Sequence, residues 1–212
     1  PLGTLALESG DYHLVIGNPP YLSTRLMSPE LQATLPPQTP DLYAAFLRHG
    51  MSLCAPGGVC AMVTQRGWLF TAQFQALRQH LLESYRPTVL GDLAEGAFAG
   101  ISGAVVSVVM SVIWNLPPDD RITVIAAHQR RVGDKTAALR ARRRTYTIRP
   151  SALSVVPGQP LLYWWTPSLL QRYQQAPRLG TCAEIRQGMA TGHNARFLRR
   201  PWEIDPADLW LR

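Results

Sequence analysis

Residues 11–21 read Asp-Tyr-His-Leu-Val-Ile-Gly-Asn-Pro-Pro-Tyr, and no other stretch limits the fold of this chain so strongly. Leu14-Val15-Ile16 is a short β-branched apolar run bounded by Gly17, the pattern of a strand buried on both faces. Pro19 and Pro20 cannot continue a hydrogen-bonded ladder, so the strand ends there. Asn18, Pro19, Pro20 and Tyr21 are thus delivered to the carboxyl end of a strand, the edge where open α/β sheets bind ligands.

The chemistry of that tip is specific. Asn18 offers a side-chain carbonyl, and Pro19 offers a main-chain carbonyl whose direction the pyrrolidine ring holds. Two fixed acceptors match a planar amino group with two hydrogens, and Tyr21 adds a flat ring on which a base or amide can stack. Accepting both hydrogens draws a delocalised nitrogen, such as that of adenine, toward the tetrahedral geometry that attacks an electrophile. A proline-rich turn is the plainer alternative, since Asn-Pro is a common turn signal.

Asn-Pro-Pro-Tyr after an apolar strand resembles the catalytic motif of S-adenosylmethionine-dependent amino-methyltransferases, above all those acting on adenine N6 in DNA. The resemblance implies Asn18, Pro19, Pro20 and Tyr21 as the catalytic residues, S-adenosylmethionine as the cofactor and double-stranded DNA as the partner. The motif alone leaves protein glutamine open as the substrate. A base inside a duplex is out of reach, so the adenine would be flipped out of the stack.

Of 212 residues, 46% are apolar, enough for a proper core. No window is long and apolar enough to span a bilayer, and the N-terminus lacks a secretory pattern, so no membrane and a cytoplasmic setting are expected. Cys54, Cys60 and Cys182 form no CxxC pair and read as buried packing. No metal-ligand cluster or nucleophile–His–acid set is visible, and the five histidines receive no chemistry. A net charge of +7 suits a polyanionic partner.

Along the chain, residues 22–40 hold four prolines and read as a loop able to close over the site. A helix starts at Asp41, with Tyr43 and Phe46 among its expected core positions, and Pro56-Gly57-Gly58 ends it before a buried strand at 59–64. Gln65-Arg66-Gly67-Trp68-Leu69-Phe70 reads as a loop at the same carboxyl edge. There Arg66 and Trp68 are candidates for lining the target channel, or else for bracing the loop. A helix at 72–83 and strands at 89–93 and 103–114 follow, the two strands forming an antiparallel hairpin. In the adenine methyltransferases this turn carries an aromatic ring that packs on the flipped base. Phe98 stands in the matching place, with core plugging as its alternative. A strand at 122–126 comes next.

Residues 128–150 carry eight of the 21 basic residues against one acid. Arg140, Arg142, Arg143 and Arg144 read either as a solvated surface or, the reading preferred here, as an arm contacting the DNA backbone. A helix is expected from Pro167 to about Gln175. Residues 183–198, Ala-Glu-Ile-Arg-Gln-Gly-Met-Ala-Thr-Gly-His-Asn-Ala-Arg-Phe-Leu, resemble the start of the target-recognition part of large single-chain adenine methyltransferases. These are the combined restriction–modification enzymes and the PglX group of phage-defence systems, which usually show Asp where this chain has His193.

The expected fold is α/β: the C-terminal half of a Rossmann-like methyltransferase sheet, with a basic α+β extension leading into a target-recognition domain. The expected division is a catalytic half at 1–115, a basic connector at 116–178 and the start of target recognition at 179–212. No glycine-rich cofactor loop precedes Asp11, so the cofactor-binding residues are unknown. The expected further partner is the N-terminal half of the same domain. Besides glutamine methylation, a non-catalytic DNA-binding remnant or split-protein half is the alternative function.

Overall fold

The computed structural model describes residues 9–37, 39–98, 106–129 and 131–184. The chain falls into two compact units, residues 1–174 and 175–212. In the first, β1 (Tyr12–Gly17) leads through a short helix α1 (Pro29–Thr34) to α2 (Leu42–Leu53) and β2 (Cys54–Gln65). Helix α3 (Gln75–Ser84), β3 (Arg86–Ala94), β4 (Val108–Trp114) and β5 (Ile122–Ala126) follow. The unit ends with α4 (Val132–Ala141), β6 (Thr145–Ile148) and α5 (Pro167–Gln175), the last reaching its boundary. Of the second unit, the described part holds one turn of helix, α6 (Leu179–Cys182).

Six strands form one sheet in the order β1-β2-β4-β3-β5-β6. β1 pairs parallel with β2, and β3 parallel with β5, while β4 runs antiparallel between β2 and β3. β1, β2, β3 and β5 therefore share one direction, and their carboxyl ends lie along one edge. The expected β3–β4 hairpin is present. The stretch expected to be a basic connector extends the same sheet, because β5 pairs with β3 and β6 with β5.

One face of the sheet is well covered. Val15, Cys60 and Ile113 share a row in the strand register, and α2 packs against this side. A Cβ at Gly50 of α2 would run into the Met62 methyl and the Cys60 thiol, so glycine permits the close approach. Tyr43, Leu47, Met51, Leu77 and Leu81 join this core with no more than 4% exposure.

The other face differs from expectation. Leu14 is 57% and Ile16 73% exposed, so β1 is a half-covered edge strand instead of one buried on both faces. The register aligns Leu14 with Val59 and Trp114, and Ile16 with Ala61 and Val112, which makes an apolar strip. Helix α4 covers the far end of this face, where Leu139 approaches Gly91.

Other elements shift locally. β2 begins at Cys54 and runs through Pro56-Gly57-Gly58, with a register irregularity opposite β1, since Gly57 takes a φ of +78° without breaking the strand. The loop at 22–40 contains α1, capped by Ser28 and opened by Pro29. Residues Arg66–Leu69 and Ala72–Phe74 are short 3-10 turns, the second leading into α3. Phe46 is 44% exposed and therefore not core. Cys54 and Cys60 are buried and Cys182 is exposed. Among the described residues, no helix is long and apolar enough to cross a membrane.

Candidate active site

Asn18 directly follows β1, at the carboxyl edge as expected. Its side chain is exposed, Pro19 is buried, Pro20 is exposed and Tyr21 is half-buried. The Tyr21 hydroxyl donates toward both Asn18 Oδ1 and the Val63 carbonyl, each at 3.4 Å. Burial raises the Tyr21 pKa, so the phenol keeps its proton at neutral pH. The ring meets Tyr43 edge-on at 6.0 Å, and Tyr43 stacks on Phe74 at 5.3 Å. An aromatic column thus fixes the Tyr21 ring while leaving Asn18 open.

The backbone after the tip is tied down by Asp41, the N-cap of α2. Its Oδ1 accepts from the Tyr43 N–H at 3.2 Å and from the Leu22 N–H at 3.1 Å. Leu42 N–H returns a bond to the Leu22 carbonyl at 2.9 Å, and Ser23 bridges to Asp41. Burial raises the Asp41 pKa, opposed by these backbone donors. The sequence marks Asp41 as a helix start, but not as the anchor of the residue next to Tyr21.

A hollow of about 300 Å³ opens beside the tip, lined by Ile16, Asn18, Pro19, Pro20, Phe46 and His49 among others. Its walls are mostly apolar. Among the described residues, no group of His, Cys, Asp or Glu is arranged to hold a metal ion.

The other candidates separate. Trp68 is 1% exposed and its Nε1–H donates to Thr64 Oγ1 at 3.1 Å, so it braces the loop from the core and cannot line a channel. Arg66 is partly exposed, lies 4.9 Å from the Phe70 ring centre and pairs with Asp92 at 3.3 Å. Phe98 is half-buried at the end of the described part of the β3–β4 turn. Arg140, Arg142, Arg143 and Arg144 are all exposed, around the end of α4 and the start of β6. The stretch at 186–198 lies outside the described residues.

Sequence reasoning missed two buried polar residues. Arg78 of α3 donates to the carbonyls of Trp68 and Thr71 at 2.7 Å each and to that of Gly158 at 2.7 and 3.2 Å. Burial lowers its pKa to about 10. Asp92, with no exposure, accepts from Tyr163 at 2.7 Å. A carboxylate inside an apolar strand was the available signal for Asp92; nothing in the helix pattern distinguishes Arg78.

Residues 4–98 match the Eco57I restriction-modification methylase family. The chain is 27% identical over 209 residues to the adenine-specific methyltransferase PglX of Lacticaseibacillus casei (strain Zhang), covering 92% of this chain and 17% of that protein. It is 30% identical over 200 residues to the adenine-specific methyltransferase BrxX of Escherichia coli O9:H4 (strain HS), covering 90% and 16%. The fold is shared with the modification subunit of a putative type I restriction enzyme from Vibrio vulnificus YJ016. That match has 17% identity and a TM-score of 0.53, and covers 66% of this chain and 34% of that one. A chain from a type I restriction-modification complex has 20% identity and a TM-score of 0.58, covering 73% and 37%. This chain thus spans about one sixth of the length of the two methyltransferases, at 17% and 16%. In sequence this chain is similar to the adenine-specific methyltransferases PglX and BrxX, and in fold to chains of type I restriction-modification systems.

Proposed function

We propose that the protein carrying this chain transfers a methyl group from S-adenosylmethionine to adenine N6 in double-stranded DNA, and that this chain orients the amine. The observation that carries the reading is the exposed Asn18 at the end of β1, beside a Tyr21 ring held by Tyr43. The similarity to PglX and BrxX supports it.

In this reading the flipped adenine rests on Tyr21, with Phe98 as the opposite wall and Arg66 near the entrance. Asn18 Oδ1 and the Pro19 carbonyl accept the two amine hydrogens. As the nitrogen lone pair leaves the ring for the new bond, those hydrogens become more acidic and both contacts strengthen. The site therefore binds the transition state better than the substrate.

S-adenosylmethionine, when bound, supplies an electrophilic methyl group. The described residues fit the amine side of that reaction. They do not fit the cofactor's anchoring, because the hollow beside Asn18 offers neither a glycine-rich turn nor a carboxylate for a ribose. We assign that role to a partner segment, the N-terminal half of the domain, seated along the edge of β1 that is unpaired among the described residues. Residues 1–115 would then be the catalytic half, 116–178 a basic connector and 179–212 the start of target recognition. Arg140, Arg142, Arg143 and Arg144 would contact the DNA backbone.

The test is to incubate the protein that carries this chain with duplex DNA and methyl-labelled S-adenosylmethionine, then digest the DNA to nucleosides. Label in N6-methyl-2′-deoxyadenosine supports the reading; label in protein glutamine instead, or none in DNA, overturns it.

A further inference from the structure

Farther along the carboxyl edge, residues at the ends of β2 and β5 and from β6 line a second hollow, of about 300 Å³. Arg66 follows β2 directly, and His128 lies two residues beyond β5. Arg144 sits beside β5 through its carbonyl, which accepts from the Ala126 N–H at 2.9 Å. Tyr146, Tyr163 and Trp164 complete the walls.

One buried carboxylate organises this hollow. Asp92 Oδ1 accepts from the Ala94 N–H at 2.9 Å. Its Oδ2 accepts from the Tyr163 hydroxyl at 2.7 Å, with Arg66 at 3.3 Å and His128 Nε2 at 3.4 Å from the same oxygen. Arg66 is also held by the Phe70 ring, so its fork is set before any ligand arrives. Asp92 balances Arg66. Arg144 is exposed and forms no salt bridge among the described residues, which leaves the hollow with surplus positive charge.

The aromatic side is equally ordered. Trp164 packs against Tyr163 at 5.0 Å and Phe70 at 5.2 Å, yet remains 46% exposed at the rim. A half-exposed indole fixed by two rings shares this hollow with a guanidinium that has no acidic partner among the described residues, a pairing suited to a nucleotide of the DNA backbone. The phosphate takes the cation and the sugar packs on the ring.

We infer that this hollow is a second nucleotide subsite. It receives a phosphodiester of the same DNA whose adenine is presented to Asn18, with Arg144 on the phosphate and Trp164 against the adjoining sugar. The inference rests on the proposed adenine methylation. Strand order sets the distance: three to four strand spacings of about 4.8 Å separate β1 from β3 and β5, roughly 14–19 Å. At about 3.4 Å of rise per nucleotide, the contacted phosphate lies about four to six nucleotides from the target.

The experiment uses the protein that carries this chain and duplexes centred on the adenine identified by labelling. Each duplex bears one methylphosphonate, a neutral phosphate analogue, at successive positions. In the wild type, one or two positions about four to six nucleotides from the adenine are expected to cost about tenfold in affinity. The Arg144→Gln variant should bind the unmodified duplex about tenfold more weakly and lose nothing further at those positions. Trp164→Ala should weaken binding severalfold without moving the sensitive position. A scan that is the same in wild type and Arg144→Gln, with adenine still methylated, overturns the subsite alone. Unchanged affinity in Trp164→Ala overturns the sugar contact. If no adenine is methylated, the functional reading fails and the subsite falls with it.

Discussion

Asn18 Oδ1 is only lightly engaged, since the single Tyr21 proton is shared at 3.4 Å with the Val63 carbonyl. That oxygen is free to accept from a substrate amine, and its contribution is felt mainly in the transition state. Asn18→Ala should therefore abolish methyl transfer while DNA affinity stays within severalfold, as measured by single-turnover labelling beside a binding isotherm. Near-normal turnover in that variant would remove Asn18 from the reaction. Asp41 acts one step back. Replacing it with Ala frees the N–H groups of Tyr43 and Leu22 together. The expected loss is about 1–2 kcal/mol of stability, with slower transfer as the chain after Tyr21 loosens. Asp41→Asn keeps an equally good cap and should recover most of both. Thermal unfolding and transfer rate measured on the same samples separate the two effects, and equal damage from Asn and Ala would contradict the capping role.

Between elements, Arg78 is the main tie. From α3 it holds the turn at Arg66–Leu69 through Trp68, then Thr71, and the Gly158 loop on the other side. Arg78→Met would leave the buried Trp68 carbonyl and the partly buried Thr71 and Gly158 bonds without their donor, and should cost about 3 kcal/mol, read as a lower urea midpoint for this unit. Arg78→Lys should not restore it, because a single ammonium cannot reproduce the fork. The end of α4 presents a different case. Arg142 and Arg143 are exposed, and Arg142 caps the helix at a φ of +47°. Glycine is therefore the substitution at 142 that leaves the backbone unstrained. Arg142→Gly with Arg143→Ala should weaken DNA binding evenly across sequences and reduce the salt slope by roughly 0.9 per lost phosphate contact. An unchanged slope would make these arginines a solvated surface.

At the scale of the molecule, the β1 edge, unpaired among the described residues, and the strip carrying Leu14, Ile16 and Trp114 dominate. An apolar edge of this kind pairs with whatever strand is offered. The 212-residue chain expressed alone is accordingly expected to self-associate. Leu14→Lys with Ile16→Lys should return it toward a monomer in sedimentation velocity, because charges on an edge strand oppose edge-to-edge pairing. A monodisperse wild-type monomer would contradict this account of the edge. The proposed cofactor-holding segment would occupy the same place.

What the sequence determined by itself was local. Asn18 at the end of a strand, Asp41 at a helix start and the β3–β4 hairpin follow from short-range rules: proline stops ladders, short acids cap helices, and nearby apolar runs pair. Tertiary structure decided what depends on distant neighbours. Leu14-Val15-Ile16 reads as doubly buried because periodicity reports apolarity, whereas exposure depends on whether another element covers the face. Phe46 leaves its expected core place because it lies on the outer side of α2, and Trp68 takes the second of its two readings, bracing the loop, because it lies under the turn it belongs to. The Asp92 cluster joins residues 66, 92, 128 and 163, and sheet order, together with the bonds that hold the segment before Tyr163 to Leu69 and Arg78, brings them together. No spacing along the chain encodes that meeting, because it depends on β5 pairing with β3, and β6 with β5, at one end of the sheet.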